Sequence, residues 1–214
     1  MGKIAWVAGA TGAIGNQLVK LLNQSPEYDK VVAFVRKPVT NNWETFSKVK
    51  QWVVDYEQLE VPQGEAAQVD DLFCALGSTT KKTPDKKAYY QIDVQYPLNF
   101  AALGSQHSAN FYGLVSSHGA SQKALSNYLK MKGGLEAKLQ EQPYSHIAIA
   151  RPSLLIAKRK EYRLVEHLSG FVMSQLPGNY KAINTVDVAT SLIKSANNGH
   201  SGLEILQSKT MHSK

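Results

Sequence analysis

Short apolar runs alternate along this chain with amphipathic stretches. Lys3–Ala8 (KIAWVA) is a run rich in β-formers ended by Gly9, and it predicts a buried first strand. Ile14, Leu18, Leu21 and Leu22 then recur at i, i+4, i+7 and i+8, the stripe of a helix lying on a sheet, and Ser25-Pro26 stops it. Val31–Val35 reads as a second buried strand and completes a βαβ unit. The alternation continues with strands at Gln51–Val54, Asp70–Leu76, Asn110–Ser116 and Ser145–Ala150, and with helices over Lys86–Leu103 and Ser121–Gln140. After Arg151 the pattern predicts helices near Glu161–Ser174 and Val186–Ala196, a last strand at Leu203–Leu206, and a polar tail.

Strands that alternate with helices need a crossover for each parallel pair, so the pattern implies an α/β fold, a doubly wound parallel sheet with helices on both faces. A chain of 214 residues has room for one well-buried core, and no Pro-rich or Ser/Gly-rich tract divides it. One domain over 1–214 is expected, with a small substrate-side region at about 152–185.

Gly9-Ala10-Thr11-Gly12-Ala13-Ile14-Gly15 sits where the first strand passes into the first helix. The spacing is G-x-x-G-x-x-G, a variant of the dinucleotide fingerprint. The first glycine suits the tight turn, the second admits backbone N–H groups to a pyrophosphate, and the third allows close packing of helix on strand. The fold expected is therefore of Rossmann type, with Gly9, Thr11, Gly12, Ala13, Ile14 and Gly15 as cofactor-binding candidates. About 20 residues beyond the last glycine, where an acid would bind the ribose 2′-hydroxyl of NAD, the chain reads Val35-Arg36-Lys37. Two cations there attract a 2′-phosphate, so NADP(H) is expected over NAD(H), with Arg36 and Lys37 as its readers.

The formal charge of +7 suits a phosphate-bearing ligand. The basic clusters Lys81-Lys82, Lys86-Lys87 and Lys158-Arg159-Lys160 lack any nucleic-acid motif and read as solvated surface, so no specific nucleic acid is expected. Cys74 is the only cysteine, which excludes an internal disulfide and a cysteine zinc site; no metal is expected. With no signal-like core and no apolar run long enough to span a bilayer, the expectation is a cytoplasmic protein off the membrane.

Tyr128 and Lys132 stand four apart on one face of the helix expected over Ser121–Gln140, and Ser116-Ser117 end the strand before it, where open α/β sheets bind ligands. In a chain with ten tyrosines the spacing alone proves little, so position carries the reading. A phenol of ordinary pKa near 10 is a poor base at pH 7, and lowering it by about three units takes roughly 4 kcal/mol. One ammonium about 4 Å away, at an effective dielectric near 20, supplies about that much. Tyr128 would then exchange a proton with a carbonyl or alcohol oxygen while Ser117 fixes that oxygen. Plainer roles fit as well: Tyr128 packing on the sheet, and Ser116 or Ser117 capping the next segment. Gly133-Gly134 costs the helix up to about 2 kcal/mol against two alanines, so a close approach is expected there.

The segments GATGAIG, FVRK, VVDY, LFCALGST, LVSSHGAS, YLKMKGGLE, ARPSLLI and INTVDVA, in that order, resemble the short-chain dehydrogenase/reductase superfamily, in particular its small atypical members similar to the Tat-interacting-protein oxidoreductases. The resemblance implies an NADP(H)-dependent reductase with Ser117, Tyr128 and Lys132 as its triad, Lys132 also reaching the nicotinamide ribose. It implies Asp55 near the adenine, Cys74, Leu76 and Gly77 along the cofactor, and Pro152, Ser153 and Leu154 near the carboxamide. Two positions depart from the family pattern. Asp93 stands where many relatives have an asparagine, which weakens a proton relay through it, and the Ser-to-Tyr spacing is short, which keeps Ser116 as an alternative to Ser117.

No G-x-S-x-G elbow and no P-loop occurs, which argues against a serine hydrolase and a kinase, and His118 reads as a loop residue. Only 63 residues follow Arg151, few for the substrate region of an extended sugar-nucleotide epimerase. Two functions remain: an oxidoreductase acting on a small carbonyl or alcohol, and a non-catalytic NADPH-binding regulatory or sensor protein. The region at about 158–178, expected to shape the substrate pocket, is mixed apolar and basic and names no substrate; a homodimer stays open.

Overall fold

In the computed structural model, residues 2–40, 42–65, 68–156 and 182–212 are described. The elements run β1 (Lys3–Ala8), α1 (Ala13–Gln24), β2 (Tyr28–Val35), a 3₁₀ turn (Asn42–Thr45), β3 (Val49–Val53), β4 (Asp71–Cys74) and α2 (Lys86–Tyr90). A π-helical turn (Gln91–Gln95) joins α2 to α3 (Tyr96–Gln106), and β5 (Phe111–Val115), α4 (Asn127–Leu139) and β6 (His146–Arg151) follow. The remainder is β7 (Leu155–Ile156), β8 (Ile183–Asn184), α5 (Thr185–Ala196), β9 (Gly202–Gln207) and α6 (Ser208–Met211).

Seven strands form one parallel sheet in the order β3-β2-β1-β4-β5-β6-β9. Alternate side chains of each strand leave by opposite faces. Ala5 and Val7 of β1 join Val31, Ala33, Phe73 and Phe111 in a layer with Leu18 and Leu22 of α1 and Val188 and Leu192 of α5. Trp6 and Ala8 join Val32, Phe34, Leu72 and Leu114 in the other layer, with Phe100 of α3 and Leu135 and Leu139 of α4. The sheet is thus doubly wound, as the alternation of apolar runs implies. Because the strand order reverses between β1 and β4, the connections leave those two strands toward opposite faces. A crevice opens at their carboxyl ends.

Several elements differ from the sequence expectation. β2 begins at Tyr28, because its buried phenol donates to Asp71 Oδ2 at 2.6 Å and ties the strand start to β4. The helix expected from Ser121 begins at Asn127 instead. Residues 121–126 fold back on it, with Ala124 N donating to Ser121 O at 3.0 Å and Ser121 N to Leu129 O at 3.1 Å. Gly133 permits that path, since a Cβ there would lie 2.3 Å from the Ser121 carbonyl carbon, whereas Gly134 faces open space. The helix expected over Lys86–Leu103 extends to Gln106 and contains the π turn. β7 and β8 form a small parallel ladder that the apolar pattern does not reveal. The expected polar tail holds α6, whose Ser208 and Met211 are buried. The helix expected at 161–174, the Lys158-Arg159-Lys160 cluster and residues 157–181 of the substrate-side region lie outside the described residues.

At the amino end of the sheet, His146 Nε2 lies 3.4 Å from Glu204 Oε2, and the Ser195 hydroxyl donates to the same carboxylate. Burial pushes the His146 imidazole below its ordinary pKa, outweighing the opposing Glu204 charge. Among the described residues no helix is long and apolar enough to cross a membrane.

Candidate active site

The carboxyl ends of β1, β2, β4, β5 and β6 bring most of the expected residues to one edge of the sheet. After β1 the chain turns at Gly9 with φ +73°, and a Cβ there would lie 2.5 Å from the Ala75 backbone. A Cβ at Gly15 would lie 2.1 Å from Gly9 O, so the first and third glycines are demanded by the packing of turn and helix. At Gly12 the nearest atom is 3.2 Å away, and it is the same Gly9 oxygen. Gly12 N donates to Gly9 O at 2.9 Å, and no side chain caps α1. The N–H groups of Ala13, Ile14 and Gly15 therefore open the helix without intrahelical acceptors, an arrangement suited to a phosphate group. Thr11 stands exposed beside them.

Next to this turn lies a cleft of about 270 Å³ lined by Arg36, Val54, Asp55, Tyr56, Ile92 and Tyr96. Tyr56 stacks on Tyr96 with ring centroids 5.5 Å apart. The shape is a flat, partly aromatic slot with Arg36 at the end of β2. Lys37 is exposed beside it, and Asp55 accepts the Glu57 N–H through Oδ1 at 2.9 Å. Arg36 and Asp55 thus share one cleft, whereas Lys37 does not line it.

Lys132 is almost wholly buried in α4, and its Nζ lies 3.0 Å from Asp93 Oδ1 in the π turn. Asp93 Oδ2 accepts the Ser78 N–H at 2.8 Å, so the loop after β4 closes over the pair. A Cβ on Gly77 would lie 3.4 Å from Asp93 Oδ1 and 3.9 Å from Lys132 Nζ. Burial works against the ammonium, but the Asp93 carboxylate, the Tyr128 phenol and the Asp93 hydrogen bond outweigh it and hold Lys132 above the ordinary lysine range. Tyr128 is 38% exposed, one turn before Lys132 and close enough to act on its charge. Tyr89 of α2 faces the same cluster: burial first, then Asp93 and Tyr128, push its phenol upward.

The two candidate serines separate. Ser116 is buried and its hydroxyl donates to Glu136 Oε1. Ser117 is partly exposed, its hydroxyl 3.4 Å from the His118 carbonyl. His118 N donates to Pro152 O at 2.8 Å, which joins the loops after β5 and β6. Ala120 N donates to Ser117 O at 3.1 Å, which folds the same loop toward α4. Beyond Pro152, Ser153 Oγ lies 2.9 Å from Ser208 Oγ, and Leu154 O accepts from Ile183 N at 2.8 Å.

Cys74, at the end of β4, is 0% exposed, and burial pushes its thiol pKa up. The chain emerges past the strand end with the partly exposed Ala75 and Leu76 and the exposed Gly77. Sequence reasoning singled out Asp93 only as a departure from the family pattern, and missed it as the partner of Lys132. Tyr89 and Glu136 were missed outright. The i, i+4 spacing of Lys132 and Glu136, with Arg151 at a strand end, is the signal that would have found Glu136.

Residues 4–94 match the family model described as semialdehyde dehydrogenase, NAD binding domain. Protein HTATIP2 of Rattus norvegicus is 30% identical over 98% of this chain and 88% of its own length. Protein FMP52, mitochondrial, of Candida albicans is 27% identical over 92% of this chain and 89% of its own. Among solved structures, ElxO with NADP bound superposes with a TM-score of 0.67 at 14% identity, covering 99% of both chains, a likeness of fold.

Proposed function

This chain belongs to the Tat-interacting-protein-like branch of the short-chain dehydrogenase/reductase superfamily, a family of NAD(P)-binding oxidoreductases and epimerases, and on that premise we propose that it is an NADP(H)-dependent oxidoreductase acting on a small carbonyl or alcohol. The observation that carries the reading is the buried Lys132 ammonium, held by Asp93 and adjoining the Tyr128 phenol.

The residues fit a dinucleotide. The Gly9–Gly15 turn leaves helix N–H groups for a pyrophosphate, and the slot between Arg36 and Tyr96 suits an adenosine. The end of β2 carries Arg36 and Lys37 and no carboxylate, which supports a 2′-phosphate and hence NADP(H). When bound, the nicotinamide supplies the hydride. Tyr128 Oη gives a proton to the carbonyl oxygen as charge gathers on it, and takes one from the alcohol in the reverse direction. Ser117 Oγ–H donates to that same oxygen and holds it; Ser116, committed to Glu136, does not serve. Lys132 has three N–H donors, of which Asp93 takes one and leaves others for ribose hydroxyls.

One observation favours the alternative of an NADPH-binding sensor. Asp93 offsets much of the Lys132 charge, so the phenol feels a close ion pair rather than a lone cation. Oxidation of NADPH over a panel of aldehydes, ketones and quinones separates the two. Turnover that is lost in Tyr128→Phe with NADPH still bound supports catalysis. Equal inactivity of wild type and variant, with NADPH bound by both, supports the sensor and refutes the reductase. Cofactor choice is read by thermal shift: NADPH is expected to stabilise more than NADH, and Arg36→Asp to abolish the difference. Equal shifts in the wild-type protein would refute the preference.

A further inference from the structure

Helix α4 carries a second buried charge one turn beyond Lys132. Glu136 is 3% exposed, and its carboxylate is fully engaged. Oε1 accepts from the Ser116 hydroxyl and from Arg151 Nε at 3.1 Å, while Oε2 accepts from Arg151 Nη2 at 2.5 Å. The Arg151 contact is a two-pronged fork, which fixes direction as well as distance. Each partner stands immediately before a residue of the candidate site: Ser116 before Ser117 at the end of β5, and Arg151 before Pro152 at the end of β6.

The two strand ends are also joined directly by Ser116 N to Ala150 O at 2.8 Å and His118 N to Pro152 O at 2.8 Å. These bonds tie the strands and loops to each other, and α4 meets them through the 121–126 return path, where Ser121 N donates to Leu129 O at 3.1 Å. A helix on a sheet held only by apolar contacts such as Leu135 and Leu139 has no strong preference for one axial position. Glu136 adds the tie between the helix and the sheet itself, because its carboxylate meets donors at the ends of two neighbouring strands. Lys132, on the same helix face one turn earlier, is pinned to a third element through Asp93.

We propose that Glu136 is a positioning residue: by joining Ser116 and Arg151 across the ends of β5 and β6, it sets the height and rotation of α4 and thereby the placement of Tyr128 against Ser117. This rests on the reading of Tyr128 and Ser117 as the reacting pair. Glu136 itself touches neither cofactor nor substrate in this scheme.

The test compares wild type with Glu136→Gln, Glu136→Leu and Ser116→Ala by two independent readouts. Glu136→Gln keeps the shape and one acceptor oxygen; Ser116→Ala leaves the ion pair whole and keeps the proposal testable if the Leu variant does not fold. The first readout is the amide ¹H–¹⁵N spectrum of the full chain without ligand. The Ser117 and Tyr128 resonances are expected to move in Glu136→Gln, and Ser117 in Ser116→Ala, with the exposed Lys20→Gln leaving both unmoved. The second is NADPH oxidation with 9,10-phenanthrenequinone as probe. Here kcat per folded molecule is expected to fall about 10-fold in Gln and up to about 100-fold in Leu, with KM and the NADPH Kd within about two-fold. A merely structural role would lower the melting temperature in the same order but leave kcat per folded molecule unchanged, and that result overturns the proposal. So do unmoved Ser117 and Tyr128 resonances in Glu136→Gln. A wild-type protein that does not oxidise NADPH with this probe speaks against the reductase reading alone, and the spectra still decide the role of Glu136.

Discussion

Replacing Asp93 by Asn tests the electrostatics of the site without needing a substrate. Asn keeps the size of the side chain and an oxygen for the Ser78 N–H, but it leaves Lys132 buried without a counter-charge. Removing one partner of a buried pair costs about 3–5 kcal/mol. At about 2–4 °C per kcal/mol for a chain of this size, the melting temperature should fall by roughly 10 °C near pH 7. The pH dependence is the sharper part. In the wild type, Lys132 lies above its unfolded value, so the stability it contributes is complete below about pH 10.4 and is lost only as pH rises through the higher folded value. In Asp93→Asn the opposing burial is left unbalanced and drives the folded lysine below the unfolded one. Between those two values the unfolded chain binds more protons, so the variant should gain stability as pH rises. Urea unfolding followed by the fluorescence of the buried Trp6 and Trp52, at steps from pH 6 to 9.5, measures both effects. The deficit should be largest near neutrality and shrink toward pH 9.5, and adding Lys132→Met should recover most of it. A deficit under about 1 kcal/mol at pH 7, or one that stays constant with pH, would refute the reasoning.

Adjacent glycines should answer oppositely to the same substitution: Gly133→Ala meets the backbone of Ser121 and Gln122 at 2.3–2.5 Å and should cost about 1–3 kcal/mol, whereas Gly134→Ala should gain up to about 1 kcal/mol in chemical denaturation. His146 has a folded pKa below its unfolded one, so protonation favours the unfolded chain and stability should decline as pH falls below about 6.5. Thermal melts from pH 7.5 to 5 should show that slope, and His146→Gln should flatten it; a slope unaltered in the variant assigns it to other groups. In Gly15→Ala the methyl group would collide with Gly9 O at 2.1 Å, so NADPH should lose its thermal stabilisation of the protein even where the variant folds.

The sheet was legible because each buried strand is a short apolar run and each crossover helix carries its stripe, as Val31–Val35 and the Ile14 to Leu22 stripe show. The glycine turn was legible because its spacing is local: Gly15 meets Gly9 and Ala10 within one turn, and the positive φ at Gly9 calls for glycine whatever lies beside it. What escaped is what depends on distant partners. Nothing near Asp93 in the chain announces that it meets Lys132, 39 positions on, and the depth at which Cys74 ends β4 is not written in spacing. The late start of α4 escaped for a similar reason. Residues 121–126 suit a helix by composition, but they are needed as the return path that Gly133 accommodates.

The π turn at Gln91–Gln95 bears on how this chain tolerates insertions and deletions. A π turn inserts about one residue into an otherwise α-helical path. Everything upstream of it is offset by about one helical step, near 100°, from where an unbroken helix would put it. Tyr89 and Asp93, four apart, would share a face in an unbroken helix as well; what the extra residue sets is the direction of that face relative to α3, and so toward Lys132. Deleting a single residue within 91–95 would yield a more regular helix that turns Tyr89 away from Lys132. In this segment, a gain in local regularity would dismantle the cluster, so length rather than composition is the quantity under constraint.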